Sequence, residues 1–419
     1  MSKPGASIEA SQHTGEGSLG GRLAGLSLPK QVMVLAICPL LEQILTFFVG
    51  LTDILIAGRM EGVNQVAVLD AMGLAGYVGW FLNILQSAVA TGVMALVSRA
   101  TGAKDRPLAN RGLAQGFWLG LTAGCLSLIV LQLGVPTLVR WIGLTPEASR
   151  YAESFLRVLA VSGPFSGAMF AINAALRGSG DTRTPFLAMV VVNVVNMLAS
   201  WTLVFAPGPL GGHGIAGIAW GTTLGWAAGL LVAGGLVGRK RSEGLRWSLS
   251  LLKPHWETVR RILRVGAPQS MEIAGMWMIH AFGIRVIAGL PIGGALGGHI
   301  LAIRGESMSF LPGFAIATAA ATLTGQYLGA GSKLMALKAV RLCWGLAVAL
   351  MAVMGLFFVL FRHSLVGWMA PGSSLHESLA SPLLVVCALT QPFFATCIIL
   401  KTSMRRAGAT GLVMRAAFS

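Results

Sequence analysis

The sequence predicts an all-α integral membrane protein built from two parallel six-helix repeats. Three observations carry that prediction: recurring apolar runs of membrane-crossing length, basic residues that alternate by loop, and a set of short motifs that occurs twice at one spacing. Hydrophobic residues make up 55% of the 419 and charged residues only 11%, with a mean hydropathy of +0.74. A soluble core cannot hide that much apolar surface, so lipid is the expected solvent.

A helix needs roughly 20 apolar residues to cross about 30 Å of hydrocarbon. Ten such helices are predicted, over 32–57, 72–96, 113–133, 151–176, 186–205, 215–237, 265–290, 301–323, 342–361 and 379–400. The Gly- and Ser-rich residues 1–28 have no apolar run with a cleavage site, and are read as a disordered cytoplasmic tail rather than a signal peptide.

The net charge of +16 would suit nucleic acid only if it were gathered on one face with aromatics, and it is not. Numbering loops from the N-terminal tail, 24 of the 31 Lys and Arg fall on one side, including Arg99, Arg177, Arg264, Lys333 and Arg405. Five fall on the other side: Arg59, Arg140, Arg150, Arg157 and Arg362. Basic residues favour the cytoplasmic side, which places the N-terminus there.

The longest basic stretch, 239–264, reads as a cytoplasmic linker between an N-lobe at 29–238 and a C-lobe at 265–419. Across it Pro39 matches Pro268 at an offset of 229, each with a glutamate within four residues, Glu42 and Glu272. Thr101-Gly102-Ala103-Lys104 matches Leu328-Gly329-Ala330-Gly331 at 227, and the stretch from Arg177 matches that from Arg405 at 228. Six helices per repeat is an even number, so the repeats run parallel. By the same offset Ser419 corresponds to Val191, so the second half is expected to lack counterparts of 192–237, about two helices, with 412–418 beginning the first of them.

Ionisable groups within spanning helices cost about 2.5–3.5 kcal/mol to insert and are functional candidates by default. Asp53 can exchange H+ or bind Na+, or cap a helix end. Glu42 and Glu272 follow helix prolines and either line a cavity or satisfy backbone at a kink. Glu306 has Arg304 beside it as a natural ion partner. Asn193, Asn196 and Ser200 share about one helix face, and their oxygens suit a hard cation as well as plain helix-to-helix bonding.

The seven histidines and five cysteines show no metal spacing, and no nucleophile constellation or phosphate loop appears, which argues against a membrane enzyme. The cysteines read as small core residues.

Pro39 with Asp53 in "LTDILIAG", "ALRGSGDTRTP" at 175–185, "PLGGHGIAGIAWGT" at 209–222 and "TLTGQYLGAGSK" at 322–333 together resemble the multidrug and toxic compound extrusion (MATE) transporters, from about Leu28 onward. The resemblance implies twelve helices in two lobes, a monomer in the bacterial inner membrane, and export of cationic or amphipathic small molecules in exchange for H+ or Na+, with no further cofactor. It implies that Asp53 is the coupling carboxylate, with Asn196 and Thr222 beside it; Pro39, Glu42, Pro268, Glu272 and Glu306 are read, from their own placement in the helices, as cavity or hinge residues.

Ser200 stands where many relatives have an aspartate, and Met276 where the NorM-like branch has a glutamate. With Met276 there and no acid in the tenth helix, a C-lobe Na+ site of the NorM kind is not expected, and the reading leans to an N-lobe site and the DNA-damage-inducible (DinF-like) branch. A lipid-linked oligosaccharide flippase of the same superfamily, or a non-transporting truncated remnant, are the alternatives.

Overall fold

The computed structural model describes residues 19–20, 23–60, 63–142, 144–239, 245–247, 253–288, 290–291, 295–369 and 374–418. Most of the expected tail, and residues 240–244 and 248–252 of the expected linker, lie outside these. Among the described residues the regular structure is helical: α1 Leu28–Ala57, α2 Gln65–Gly102, α3 Arg106–Ile142, α4 Pro146–Ala160, α5 Ser162–Ser179, α6 Arg183–Phe205, α7 Gly214–Gly238, α8 Trp256–Ala288, α9 Ala295–Gly329, α10 Lys333–Met369, α11 Ser374–Ala407 and α12 Thr410–Phe418.

Seven of these are long and apolar enough to cross a membrane, and an eighth span results if α4 and α5 are taken together. The remaining two expected spans, α2 and α8, are continuous helices of 38 and 33 residues. Leu133, Leu231 and Phe393 leave 76%, 76% and 77% of their surface uncovered, an arrangement that only an apolar solvent tolerates at such density.

The fourth expected helix is two. A bend of 48° separates α4 from α5, at the sequence Ser162-Gly163-Pro164. Proline lacks the N–H for the ladder and pushes its predecessor out of helical geometry, and glycine yields there at least cost. Thr145 caps α4 by accepting from Ala148 N–H at 3.3 Å, with Pro146 in the first turn.

The chain forms two compact units, one containing Leu41–Ser270 and the other Gly25–Leu40 with Met271–Ser419. The boundaries therefore fall within α1, one residue after Pro39, and within α8, two residues after Pro268, rather than in the expected linker at 239–264. Part of that linker is fastened instead: Gln115 of α3 donates to Lys253 O at 2.8 Å and accepts from His255 N–H at 3.1 Å, and α8 already begins at Trp256.

In the 41–270 unit the core gathers Ile56, Val68, Leu131, Val135, Phe155, Leu156 and Ile218. Helices α3 and α5 meet backbone to backbone, since a Cβ on Gly124 would stand 2.1 Å from Gly163 O and one on Gly120 2.3 Å from Gly167 O. Without a hydrophobic drive between helices in lipid, such close contact of small residues is what holds them together.

The duplication extends to backbone conformation. Gly180 and Gly408 have φ of 97° and 95°. Around them, Asp181 N–H bonds Leu176 O at 2.9 Å, as Ala409 N–H bonds Met404 O at 3.0 Å. This is the left-handed helix stop that satisfies the last carbonyls. Lys104 (φ 58°) and Gly331 (φ 81°) correspond in the same way, with Asp105 N–H on Ala100 O and Ser332 N–H on Tyr327 O.

A side chain pays about 1–2 kcal/mol for that conformation and glycine does not. Gly180→Ala and Gly408→Ala are each expected to destabilise by about that amount. Lys104→Gly, already strained, is expected to leave the melting temperature unchanged or slightly raised, as read by thermal unfolding in detergent.

Candidate functional site

The glutamates beside the two helix prolines are ion-paired. Arg177 Nη1 lies 2.9 Å from each oxygen of Glu42. Glu272 is held by Lys401 Nζ at 2.9 Å and Arg405 Nη2 at 2.6 Å. Arg177 and Arg405 are the first residues of the duplicated turn, so one repeat motif supplies the acid and another supplies its cation, in each unit separately. Beside the cavity-lining or backbone-satisfying role expected of them, each acid fastens the helix just past its proline to the turn that closes a neighbouring helix.

Asp53 is treated differently. It lies near the end of α1, 5% exposed, and no Lys or Arg pairs with it among the described residues. Asn196 Nδ2 of α6 donates to Asp53 Oδ1 at 3.0 Å, and Thr222 Oγ1 of α7 donates to Asp53 Oδ2 at 2.9 Å. Asn196 Nδ2 also reaches Thr222 Oγ1 at 3.0 Å and Ser200 Oγ at 3.5 Å, while Ser200 Oγ donates to Ile218 O at 3.3 Å.

Asn196 and Ser200 are fully buried, and Asn196 Oδ1 has no hydrogen-bond partner among the described residues. A carboxylate without a cation, held by an amide N–H and a hydroxyl, with that amide's own oxygen unused, has the oxygens to receive H+ or a small hard cation.

This proximity depends on glycine. Along α7, Gly217, Gly221, Gly225 and Gly229 fall every four residues and form one stripe. A Cβ on Gly221 would stand 2.0 Å from Ser200 Oγ and 2.5 Å from Ser200 N, and one on Gly225 2.8 Å from Val192 O. The stripe lets α6 and α7 approach until Asn196 and Thr222 can both reach Asp53. Its spacing is present in the sequence, as the small-xxx-small pattern.

The structure thus brings Asp53, Asn196, Ser200 and Thr222 together and leaves Asn193 apart. Asn193 Nδ2 bonds its own helix at Met189 O, 2.9 Å away. Glu306 is also corrected: no ion pair joins it to Arg304, which is exposed, and its oxygen instead accepts from Gln391 Nε2 at 3.2 Å. Pro39 and Pro268 lie inside α1 and α8.

A many-helix membrane protein with duplicated halves and a cation-free buried carboxylate has the build of a secondary carrier. The MatE family model matches residues 39–202 and 268–419. Among curated proteins, the chain is 27% identical over 385 residues to the probable multidrug resistance protein NorM of Thermotoga maritima, covering 91% of this chain and 80% of that protein. It is 23% identical over 390 residues to the probable multidrug resistance protein YoeA of Bacillus subtilis, covering 90% and 81%.

Among solved structures, a MOP superfamily transporter from Pyrococcus furiosus superposes with a TM-score of 0.82 at 21% identity, over 94% of this chain and 85% of that one. The outward-facing form of a multidrug resistance MATE family transporter does so at 0.81 and 22%, over the same shares. This chain belongs to the MatE family of multi-pass membrane transporters.

Two outcomes follow from the packing. Removing one partner of a buried ion pair strands the other, at about 3 kcal/mol or more, so Glu272→Ala is expected to lower thermal stability markedly. The double reversal Glu42→Arg with Arg177→Glu is expected to recover part of what either single change loses. Gly221→Ala is expected to destabilise and to abolish transport. Adding Ser200→Ala is not expected to rescue it, because the backbone nitrogen of Ser200 still blocks the methyl; detergent melting curves and efflux assays check both.

Proposed function

We propose that this chain is a secondary active exporter of cationic or amphipathic small molecules, driven by counterflow of H+ or Na+ at Asp53. The observation that carries the reading is the Asp53 carboxylate, buried and held by neutral donors from two other helices beside the unpartnered Asn196 Oδ1. An acid kept only as an anchor would be expected to take a cation, as Glu42 and Glu272 do. The relatives named for multidrug resistance support the substrate class.

The step at the site follows from the inventory of donors. In the ionised state Asn196 Nδ2 and Thr222 O–H donate to the carboxylate. When the carboxyl is protonated it becomes a donor, and a half-turn of the Asn196 amide presents Oδ1 to receive it. Sodium would be bound by the same oxygens without a donor being needed. Either event removes the site's negative charge. A substrate favoured in the empty state and disfavoured in the occupied one then exchanges with the cation by alternating access. Ser200 Oγ, already bonded to Ile218 O, supports the position of Asn196. We further propose that the N-terminus is cytoplasmic, on the 24-to-5 distribution of basic residues.

The test is ethidium efflux from cells lacking their own pumps, under imposed pH and Na+ gradients. The chain is expected to lower ethidium accumulation. Asp53→Asn is expected to abolish that effect, and Asn196→Ala and Thr222→Val to weaken it roughly tenfold, about 1.4 kcal/mol each, at equal membrane abundance. Efflux that is unchanged in Asp53→Asn would overturn the assignment. Absence of efflux from the unaltered, membrane-inserted chain would overturn the substrate class.

A further inference from the structure

We propose that the opening turns of α8, with the segment that leads into them, hold an anionic phospholipid by its phosphate. Two opposite rows of side chains define that part of α8. Thr258, Ile262 and Gly266 are buried, and the last two meet α2 backbone to backbone: a Cβ on Gly266 would stand 2.3 Å from Ala88 O, and one on Gly92 2.2 Å from Ile262 O. Trp256, Arg260 and Arg264, also four residues apart, take the other side and are exposed, Trp256 by 74%.

The approach to α8 is fastened alongside helices. Arg246 N–H donates to Asn110 Oδ1 at 2.9 Å. The Trp247 indole donates to Gly234 O at 2.9 Å and meets the Phe117 ring edge-on, 5.6 Å between centroids. With the Gln115 clasp on Lys253 and His255, these bonds lay the chain along α3 and α7. Gln115 and Phe117 stand about 14 and 17 Å along α3 from its start at Arg106, so the segment runs beside the helices at headgroup depth. Arg246 and Lys253 are exposed there, and Trp118 beside Phe117 is half-exposed. Tryptophan together with basic side chains is the composition of a membrane interface.

The charge at this place is unopposed. Among the described residues no acid pairs with Arg246, Lys253, Arg260 or Arg264. The two exposed acids described at this end of the 41–270 unit are engaged: Glu257 pairs with Arg261, and Asp105 accepts from Leu108 N–H at 3.0 Å at the start of α3.

Four free cations with exposed apolar surface between them match a lipid of net negative charge. Its phosphate takes guanidinium hydrogen bonds, and its chains cover Trp256 and the exposed Leu263. A soluble anion would answer the charge and leave those two side chains in water. A zwitterionic lipid would bring its own ammonium against the arginines. Asp53 lies toward the far end of α1, so the proposal stands apart from the cation-coupled reading.

The experiment follows thermal unfolding of the full chain in neutral detergent as phosphatidylglycerol, phosphatidylcholine or glycerol 3-phosphate is added, with bound lipid counted by native mass spectrometry. Phosphatidylglycerol is expected to raise the melting temperature saturably, less so at high salt, and to remain bound. Arg260→Gln with Arg264→Gln is expected to weaken its apparent affinity about 25-fold, at about fivefold per cation, and Arg260→Lys with Arg264→Lys to keep most of it. Lys253→Gln with Trp256→Ala, both exposed, is expected to weaken it too, and replaces the glutamine pair if that pair does not fold. The same charge change on the other unit, Lys333→Gln with Lys338→Gln, is expected to leave the affinity unchanged.

Equal weakening by the Lys333 and Lys338 changes would mean a diffuse field and overturn the site. Equal stabilisation by phosphatidylcholine, or by glycerol 3-phosphate alone, would overturn the choice of ligand. A melting temperature and mass spectrum indifferent to phosphatidylglycerol would overturn the proposal outright.

Discussion

A carboxylate taken into a bilayer must find a substitute for the water it has lost, and most of this structure is arranged around that requirement. The chain meets it in two ways. Glu42 and Glu272 take arginine or lysine from a neighbouring turn, which fixes the helix segments just beyond Pro39 and Pro268. Among the described hydrogen bonds, Asp53 takes an amide and a hydroxyl and Glu306 an amide, donors that steady a charge without cancelling it. The first kind is an anchor, because neither partner gains by letting go. On the function proposed above, Asp53 accepts a cation because a proton or sodium ion improves on what is already there.

Neutral donors work only at hydrogen-bond distance, and in lipid no hydrophobic force presses helices to that distance. Glycine provides the closeness. The α7 stripe from Gly217 to Gly229 lets α6 pack so near that Ser200 would collide with a single added methyl at Gly221. That places Asn196 on one oxygen of a single carboxylate and Thr222 on the other, 3.0 Å from each other. The site is therefore a consequence of helix packing across three elements, and a change that touches no polar atom can destroy it.

Much of this was legible in the sequence. Apolar runs gave the helices, and the doubled motifs gave a repeat whose left-handed turns at Gly180 and Gly408 match in φ to within a few degrees. Asp53, Asn196, Ser200 and Thr222 were singled out and do meet. The bend between α4 and α5 was also written, in Gly163-Pro164, but an apolar run of helical length masks such a break. The Glu–Arg anchors needed one more step, since both members recur in both halves and only their pairing was unseen. Asn193 shares a broad face with Asn196 by its i, i+3 spacing, yet its amide bonds its own helix at Met189 O. Arg304 and Glu306 misled because neighbours two apart on a helix point in different directions.

The central claim is that occupancy of Asp53 by a cation and binding of substrate oppose each other. Thermodynamic reciprocity makes this measurable without transport. Ethidium affinity would be determined by fluorescence for the purified full chain across a series of pH values and Na+ concentrations, beside Asp53→Asn. The account predicts that the unaltered protein binds ethidium progressively more weakly as the coupling cation rises, and that Asp53→Asn loses the Asp53-dependent part of that sensitivity. An ethidium affinity in the unaltered protein that is indifferent to both H+ and Na+ would contradict it.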